Sequence, residues 1–153
     1  MTRPTFNFRL ERVRALRERF EEMAKEDLAA SLSIRLKGEA MLQAAEELHS
    51  EAQHVRRSVQ SARDMTGDDL VAYQAYLERT ERGREAAALE LDRRDAEVDA
   101  RRTALTAAAR DRQVLERLKE RQLEDHTRES ARIEGALLDE MALTAHRRAG
   151  GAL

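Results

Sequence analysis

Apolar residues recur at alternating steps of four and three through the first half of the chain. The clearest run comprises Met41, Ala45, Leu48, Ala52, Val55, Val59 and Ala62. Such steps place the residues on one narrow stripe of an α-helix, which is typical of a coiled-coil seam. A looser helical spacing continues upstream at Leu10, Val13, Leu16, Phe20, Ala24 and Leu28. The pattern predicts a first helix over residues of about 6–64.

The stretch RDMTGDDL, residues 63–70, is the strongest candidate for a break between helices. Thr66 can cap a new helix together with Asp69, whose negative charge suits the first turn. Gly67 tolerates the backbone angles that a tight turn requires. We therefore predict a turn at about 65–68. The alternative, one uninterrupted helix, would be a rod far longer than helices in globular proteins.

A second set of apolar residues follows the turn in heptad phase. Its members are Leu70, Tyr73, Leu77, Ala87, Leu91, Val98, Leu105, Ala108 and Leu115. This pattern predicts a second helix over about 69–147 and a disordered tail over about 148–153. Polar residues occupy further positions of the same seam, namely Thr80, Arg84, Arg94, Arg101 and Arg112.

An antiparallel pairing of the two helices explains both seams if the numbers of facing residues sum to about 132. Gly38 then lies opposite Arg94, whose methylenes can cover a seam while the guanidinium reaches water. The apolar pairs are Val59 with Tyr73, Val55 with Leu77, Ala45 with Ala87, Met41 with Leu91 and Ile34 with Val98. We predict an all-α fold: a single domain over residues 1–153, built as an antiparallel coiled-coil hairpin.

This register leaves the end of the second helix without a partner. Phe6 lies opposite His126, so the residues from Thr127 onward extend past the first helix. Apolar residues nevertheless continue at Ile133, Ala136, Leu137, Leu138, Met141 and Leu143. A lone helix gains little stability from such a stripe in water. Two interpretations stay open: a frayed or folded-back tail, and an apolar edge that binds another protein.

Composition supports long helices and excludes several functions. Of the 153 residues, 38% are charged and 3% aromatic, with no Trp, which is too little bulk for a thick core. The 28 basic and 30 acidic residues give a net charge of −2, unlike the basic excess of nucleic-acid binders. The absence of Cys excludes a disulfide scaffold. We expect no secretory signal and no transmembrane segment, because no apolar run is long enough.

No catalytic, cofactor-binding or metal-binding residues are predicted. His49 and His54 are five residues apart and point to different sides of a helix, unlike metal-binding pairs four apart. We interpret them, with His126 and His146, as surface histidines. The glycines form no phosphate-binding loop. A paired-helix rod also offers no enclosed pocket, so we predict that the protein is not an enzyme.

The order of several short segments resembles the family of the flagellar type III export protein FliJ. The segments are FNFRLERVRALRE at the start, YQAYL just after the break, and LKERQ followed by LLDEMA near the end. Each is weak alone, and their order and spacing along nearly the whole chain carry the resemblance. Injectisome stalk proteins share the same architecture.

The resemblance implies a stalk similar to that of rotary ATP synthases. Such a protein inserts into the ring of the hexameric export ATPase FliI, which works with its regulator FliH, and promotes ring assembly and activity. It also contacts the cytoplasmic domain of the export gate FlhA, and export chaperones are further expected partners. The implied location is cytoplasmic, peripheral at the inner-membrane base of the flagellum, and the protein alone is expected to be a monomer.

The resemblance also assigns binding residues. Arg121, Gln122, Asp139, Glu140 and Ala142 match the family's C-terminal pattern and are expected at the end that binds the ATPase. To these ATPase-binding residues the apolar edge of the overhang adds Leu137, Leu138 and Met141. The export-gate residues are Gln74, Tyr76 and Thr80, of which Tyr76 is expected to point outward. Thr80, Gly83 and Ala87 are smaller than the family pattern suggests for this face. Two other functions stay open: a generic coiled-coil adaptor or export chaperone, and a homo-oligomer whose seams pair between chains.

Overall fold

The computed structural model describes residues 5–60 and 66–150, and within them it contains two helices and no strand. Helix α1 spans Glu11–Gln60 and helix α2 spans Gly67–Gly150. The two helices run antiparallel and pack against each other, and α2 is the longer one. The predicted all-α fold class is therefore confirmed.

The two helix starts differ in how well the sequence predicts them. Helix α1 begins at Glu11, not near residue 6, and the Glu11 amide donates to the Phe8 carbonyl at 3.1 Å. Phe8 is only 4% exposed, so its burial outweighs the helix propensity of the preceding segment. Helix α2 begins with the predicted cap: the Asp69 amide donates to Thr66 Oγ1 at 3.2 Å, and the Thr66 amide donates to Asp69 Oδ2 at 3.1 Å.

Helix α2 continues past its predicted end to Gly150. Arg147 and Arg148 lie in the last turn, where positive charge stabilises the negative end of the helix dipole. The rest of the predicted tail lies outside the described residues, as do Ala62 and Met65 of the predicted seam and turn.

The chain divides into two compact units. Unit 1 comprises Met1–Glu21 and Ala108–Leu153, and unit 2 comprises Glu22–Ala107. Each unit contains a part of α1 and an antiparallel part of α2. The single domain over residues 1–153 stays a prediction.

In unit 1 the predicted register is confirmed by contacts between the helices. The Phe6 and His126 rings lie 5.7 Å apart between centroids, as the register requires. Lys119 Nζ donates to Glu11 Oε2 at 2.9 Å, and Arg14 forms an ion pair with Glu116 at 3.4 Å.

In unit 2 the helices approach each other closely at Gly38. A Cβ at this position would lie 2.9 Å from Arg94 Cδ, so only glycine leaves room for the arginine stem. The Arg94 guanidinium passes over Gly38 and donates to the Ile34 carbonyl at 3.0 Å. The predicted pairing of Gly38 with Arg94 is thus confirmed. Asp27 and Arg101 add an ion pair of 3.2 Å between the helices.

The buried line of α1 in unit 2 differs from the predicted seam. Met41, Leu48 and Ile34 are exposed, although the sequence places them between the helices. The positions next to them along the chain, Leu42 and His49, are partly buried instead. The buried line comprises Ala24, Leu28, Ser31, Arg35, Gly38, Leu42, Ala45, His49 and Ala52. The prediction of Met41, Leu48 and Ile34 as seam residues was wrong because it followed the spacing of apolar residues and did not consider polar residues such as Arg35 and His49 for the interface.

Candidate interaction surfaces

The overhang, residues 127–150 of α2 in unit 1, exposes an apolar stripe. Its large side chains all face solvent: Ile133, Leu137, Leu138, Met141 and Leu143. Leu138 is 66% exposed and Met141 is 68% exposed, so these residues contribute little to a core. Leu137 and Met141 also border a shallow groove with Glu140 and Thr144. The stripe is therefore available to another molecule.

Ion pairs within the helix support the overhang. Arg132 binds Glu129 three residues before it at 2.7 Å, and this hydrogen bond holds the pKa of the Glu129 carboxyl below its usual range. Arg128 lies 3.5 Å from Glu124, one turn earlier. Such pairs stabilise a helix by a few tenths of a kcal/mol each. These pairs therefore add a small stabilisation to the overhang helix, independent of its apolar side chains.

The predicted polar ATPase-binding residues are also exposed. Arg121 and Gln122 lie just before the overhang, and Asp139 and Glu140 lie within it. The charged groups of Arg121, Asp139 and Glu140 form no ion pair with any residue in the described part of the chain. These charges are therefore free to pair with another protein.

The predicted gate-binding residues lie in unit 2 and differ in exposure. Gln74 is exposed and donates to Glu78 at 3.1 Å. Tyr76 is partly buried, and the Arg79 guanidinium lies 5.9 Å from the centre of its ring. Thr80 is only 5% exposed because it lies between the helices, so it offers a partner almost no surface.

An open cleft of about 820 Å³ lies beside these residues, between the two helices of unit 2. Its walls are formed by His49, Gln53, Arg56, Arg57, Gln74, Leu77, Glu78, Glu81 and Arg84. Arg84 binds Glu81 at 2.5 Å, and this hydrogen bond lowers the pKa of Glu81 and raises that of Arg84. The cleft is polar and carries both signs of charge.

His49 is the functional candidate that the sequence analysis missed. Its side chain is only 15% exposed, so its interpretation as a surface histidine was wrong. Thr80 Oγ1 donates to the Leu77 carbonyl at 2.9 Å and therefore accepts from His49 Nδ1 at 3.0 Å. His49 Nε2 lies within 3.0 Å of both Gln53 and Glu81. The signal was its spacing, four residues after Ala45 and seven after Leu42.

Neither surface contains a group suited to metal binding or membrane crossing. No cluster of three or more metal-ligating side chains occurs among residues 5–60 and 66–150. Within the same ranges, neither helix has a stretch that is both long and apolar enough to cross a bilayer.

Comparison with known proteins agrees with this geometry. No curated protein and no solved structure was found to match the chain. The sequence profile of the flagellar FliJ protein family, in contrast, matches residues 6–151, which include both helices and the overhang. The chain therefore belongs to the flagellar FliJ protein family, and is a stalk-type component of the flagellar export apparatus.

Proposed function

We propose that this chain is the non-enzymatic stalk that inserts into the ring of the hexameric export ATPase FliI and promotes ring assembly and hydrolysis. The observation that carries the proposal is the overhang, a helix without a partner helix in the register, whose leucines and methionine face solvent. An amphipathic helix of this kind binds by laying its apolar face into a groove of its partner. Residues 137–141 are in this account the part that enters the ring.

Exposed charges beside the stripe give the contact its specificity. Arg121 precedes the overhang, while Asp139 and Glu140 lie between Leu138 and Met141 along the chain. Charged pairs at the rim of an interface fix its register and speed up association more than they add affinity. We assign register-setting to these three residues and to Gln122, and most of the binding energy to Leu137, Leu138 and Met141.

A second contact joins unit 2 to the cytoplasmic domain of the export gate FlhA. Gln74 and Tyr76 are the residues assigned to it, next to the polar cleft. Thr80 is left out of the contact surface because it is buried, and it instead holds His49 at the wall of the cleft. Contact with the gate places the protein in the cytoplasm at the membrane base of the flagellum, near FliH and the export chaperones.

The rate of ATP hydrolysis by the cognate export ATPase tests the first contact. The purified ATPase is assayed alone and with increasing amounts of this protein, and ring assembly is followed by electron microscopy. We expect faster hydrolysis and more complete rings. Unchanged hydrolysis and assembly would contradict the stalk function and would favour the coiled-coil adaptor or chaperone.

Tyr76→Ala tests the second contact. Loss of an aromatic anchor at an interface costs about 2 kcal/mol or more, which is at least about thirtyfold in affinity. We expect weaker binding to the isolated cytoplasmic domain of the gate, with ATPase stimulation unchanged. Arg79→Ala is the matched control, because it removes the cation above the ring and leaves the ring in place. Unchanged gate affinity for Tyr76→Ala would remove this residue from the contact.

A further inference from the structure

Helix α1 carries a second heptad seam in unit 2, which we name the outer stripe. It comprises Met23, Asp27, Ala30, Ile34, Lys37 and Met41, at steps of four and three. Each member comes one residue before a member of the buried line described above. One residue of an α-helix corresponds to a rotation of about 100°. The outer stripe therefore lies beside the interface with α2, on a different face of α1.

The outer stripe is exposed along its whole length. Met23 is 59% exposed, Ile34 is 50% exposed and Met41 is 58% exposed. The buried line beside it carries Ser31 and Arg35 in the same stretch, whereas the exposed stripe carries the large apolar residues Met23, Ile34 and Met41. An exposed apolar stripe with heptad spacing has the geometry that packs against another helix.

The order of residues in the stripe identifies a second copy of this chain as the partner. When two copies of the stripe run antiparallel, each residue of one faces a complementary residue of the other. If two copies of α1 pack antiparallel, Met23 of one meets Met41 of the other. Ala30 meets Ile34, a small residue beside a large one, as close packing requires. Asp27 meets Lys37, so the only two charged members of the stripe neutralise each other twice. A two-fold axis produces every one of these contacts in duplicate.

The charges also exclude the opposite orientation. A parallel pair would place Asp27 against Asp27 and Lys37 against Lys37, and such like charges in facing positions are repulsive. On the edge of the antiparallel pair, Glu26 would face Ala40 and Ser33 would face Ser33, without repulsion. These contacts select the antiparallel orientation.

The side chains of Lys37 and Asp27 can both take part in the new ion pair. Lys37 makes no ion pair within the described residues of the chain. Asp27 already binds Arg101 at 3.2 Å, but its side chain remains 59% exposed, and a carboxylate accepts several hydrogen bonds. We propose that the outer stripe is a self-association surface on which a second copy of this chain packs its own α1 antiparallel. The protein is then a reversible dimer, not the monomer expected from the sequence, and the overhang takes no part in it.

Analytical ultracentrifugation of the full chain over micromolar to millimolar concentrations tests the proposal. We expect a monomer–dimer equilibrium. Lys37→Asp should weaken it by about tenfold or more, because Asp27 would then face a second carboxylate. The variant D27K/K37D/R101E exchanges the charges of the stripe, keeps opposite charges at positions 27 and 101, and should restore the dimer. Arg93→Asp, an exposed charge change on α2, is the control and should leave the dissociation constant unchanged.

Cysteine crosslinking tests the orientation, since the chain has no cysteine of its own. Positions 23 and 41 are about 27 Å apart along one helix, too far for a disulfide within a chain. The variant M23C/M41C should therefore form covalent dimers under mild oxidation, while M23C and M41C alone should not. A sedimenting species that stays monomeric at every concentration, or efficient crosslinking of the single variants, would overturn the proposal.

Discussion

The paired part of α2 in unit 1, residues 108–126, and the overhang, residues 127–150, use similar residues in different ways. In the paired part, charged side chains reach across to α1: Lys119 binds Glu11 at 2.9 Å, and Arg112 binds Glu21. In the overhang, the described ion pairs stay within α2, as between Arg132 and Glu129. Ion pairs thus connect the two helices in the paired part, whereas in the overhang they only stabilise α2 itself.

Apolar residues of unit 1 also differ in burial. Leu115 and Leu118 of the paired part are partly buried and Phe8, just before α1, is buried, whereas Leu137 and Leu138 of the overhang face solvent. Burial stabilises the folded state by about 25 cal/mol for each Å² of apolar surface taken from water, and the exposed part of a side chain contributes none of this stabilisation. The overhang leucines are therefore not explained by the stability of the free protein, which is why we assign them to a partner.

The largest expected contrast is in stability. Phe8→Ala should lower the free energy of unfolding by about 3–5 kcal/mol, because it leaves a cavity at a buried site. Leu138→Ala should change it by less than about 0.5 kcal/mol, because Leu138 is exposed and Ala is an excellent helix former. Urea unfolding followed by circular dichroism measures both. Equal losses would show that the overhang contributes to the fold.

Replacing glycine by alanine in the overhang and in the paired helices should change stability in different directions, by smaller amounts. Gly135→Ala in the overhang should stabilise the helix by up to about 1 kcal/mol, since nothing beyond the helix's own adjacent backbone lies within 4 Å of the added methyl. Gly38→Ala gains the same helix propensity but places its methyl 2.9 Å from Arg94 Cδ. We expect this crowding to cancel the gain or reverse it. A melting temperature that rises equally in both variants would contradict the close approach at Gly38.

The smallest expected effect is the loss of folding stability at low pH through Glu11. Hydrogen bonds from Arg14 and Lys119 lower the pKa of Glu11 from 4.5 to about 2. A lowered pKa in the folded state means that Glu11 contributes its stability above pH 4.5 and loses it progressively as the pH falls toward about 2. Thermal unfolding between these pH values should therefore depend less on pH in Glu11→Gln. Glu120→Gln is the control, because Glu120 forms no ion pair with any described residue. An equal change in both variants would rule out the contribution of Glu11.

The sequence predicted what depends on local chemistry and on volume. The cap formed by Thr66 and Asp69 follows from side-chain type and spacing alone. The register followed from pairing the two apolar seams, and it placed Gly38 opposite Arg94, which the structure confirms.

The sequence did not determine which face of α1 meets α2. Helix α1 carries two heptad stripes one residue apart, and the one with the large apolar residues Met41 and Leu48 is exposed. Arg35 and His49 lie in the buried line because their stems pack while their polar groups find partners on α2. Hydrophobicity ranks such residues low, so the choice of face and the role of His49 required the structure.

The double variant L137S/L138S tests the central assignment most directly, with ATPase stimulation and thermal stability measured on the same preparation. The matched control is L70S/V71S, which removes an exposed apolar pair from unit 2. We predict that L137S/L138S loses stimulation of the cognate export ATPase while its melting temperature barely changes, and that the control still stimulates fully. An L137S/L138S protein that melts early yet stimulates the ATPase as well as the wild type would show that the overhang is structural, and would contradict the account.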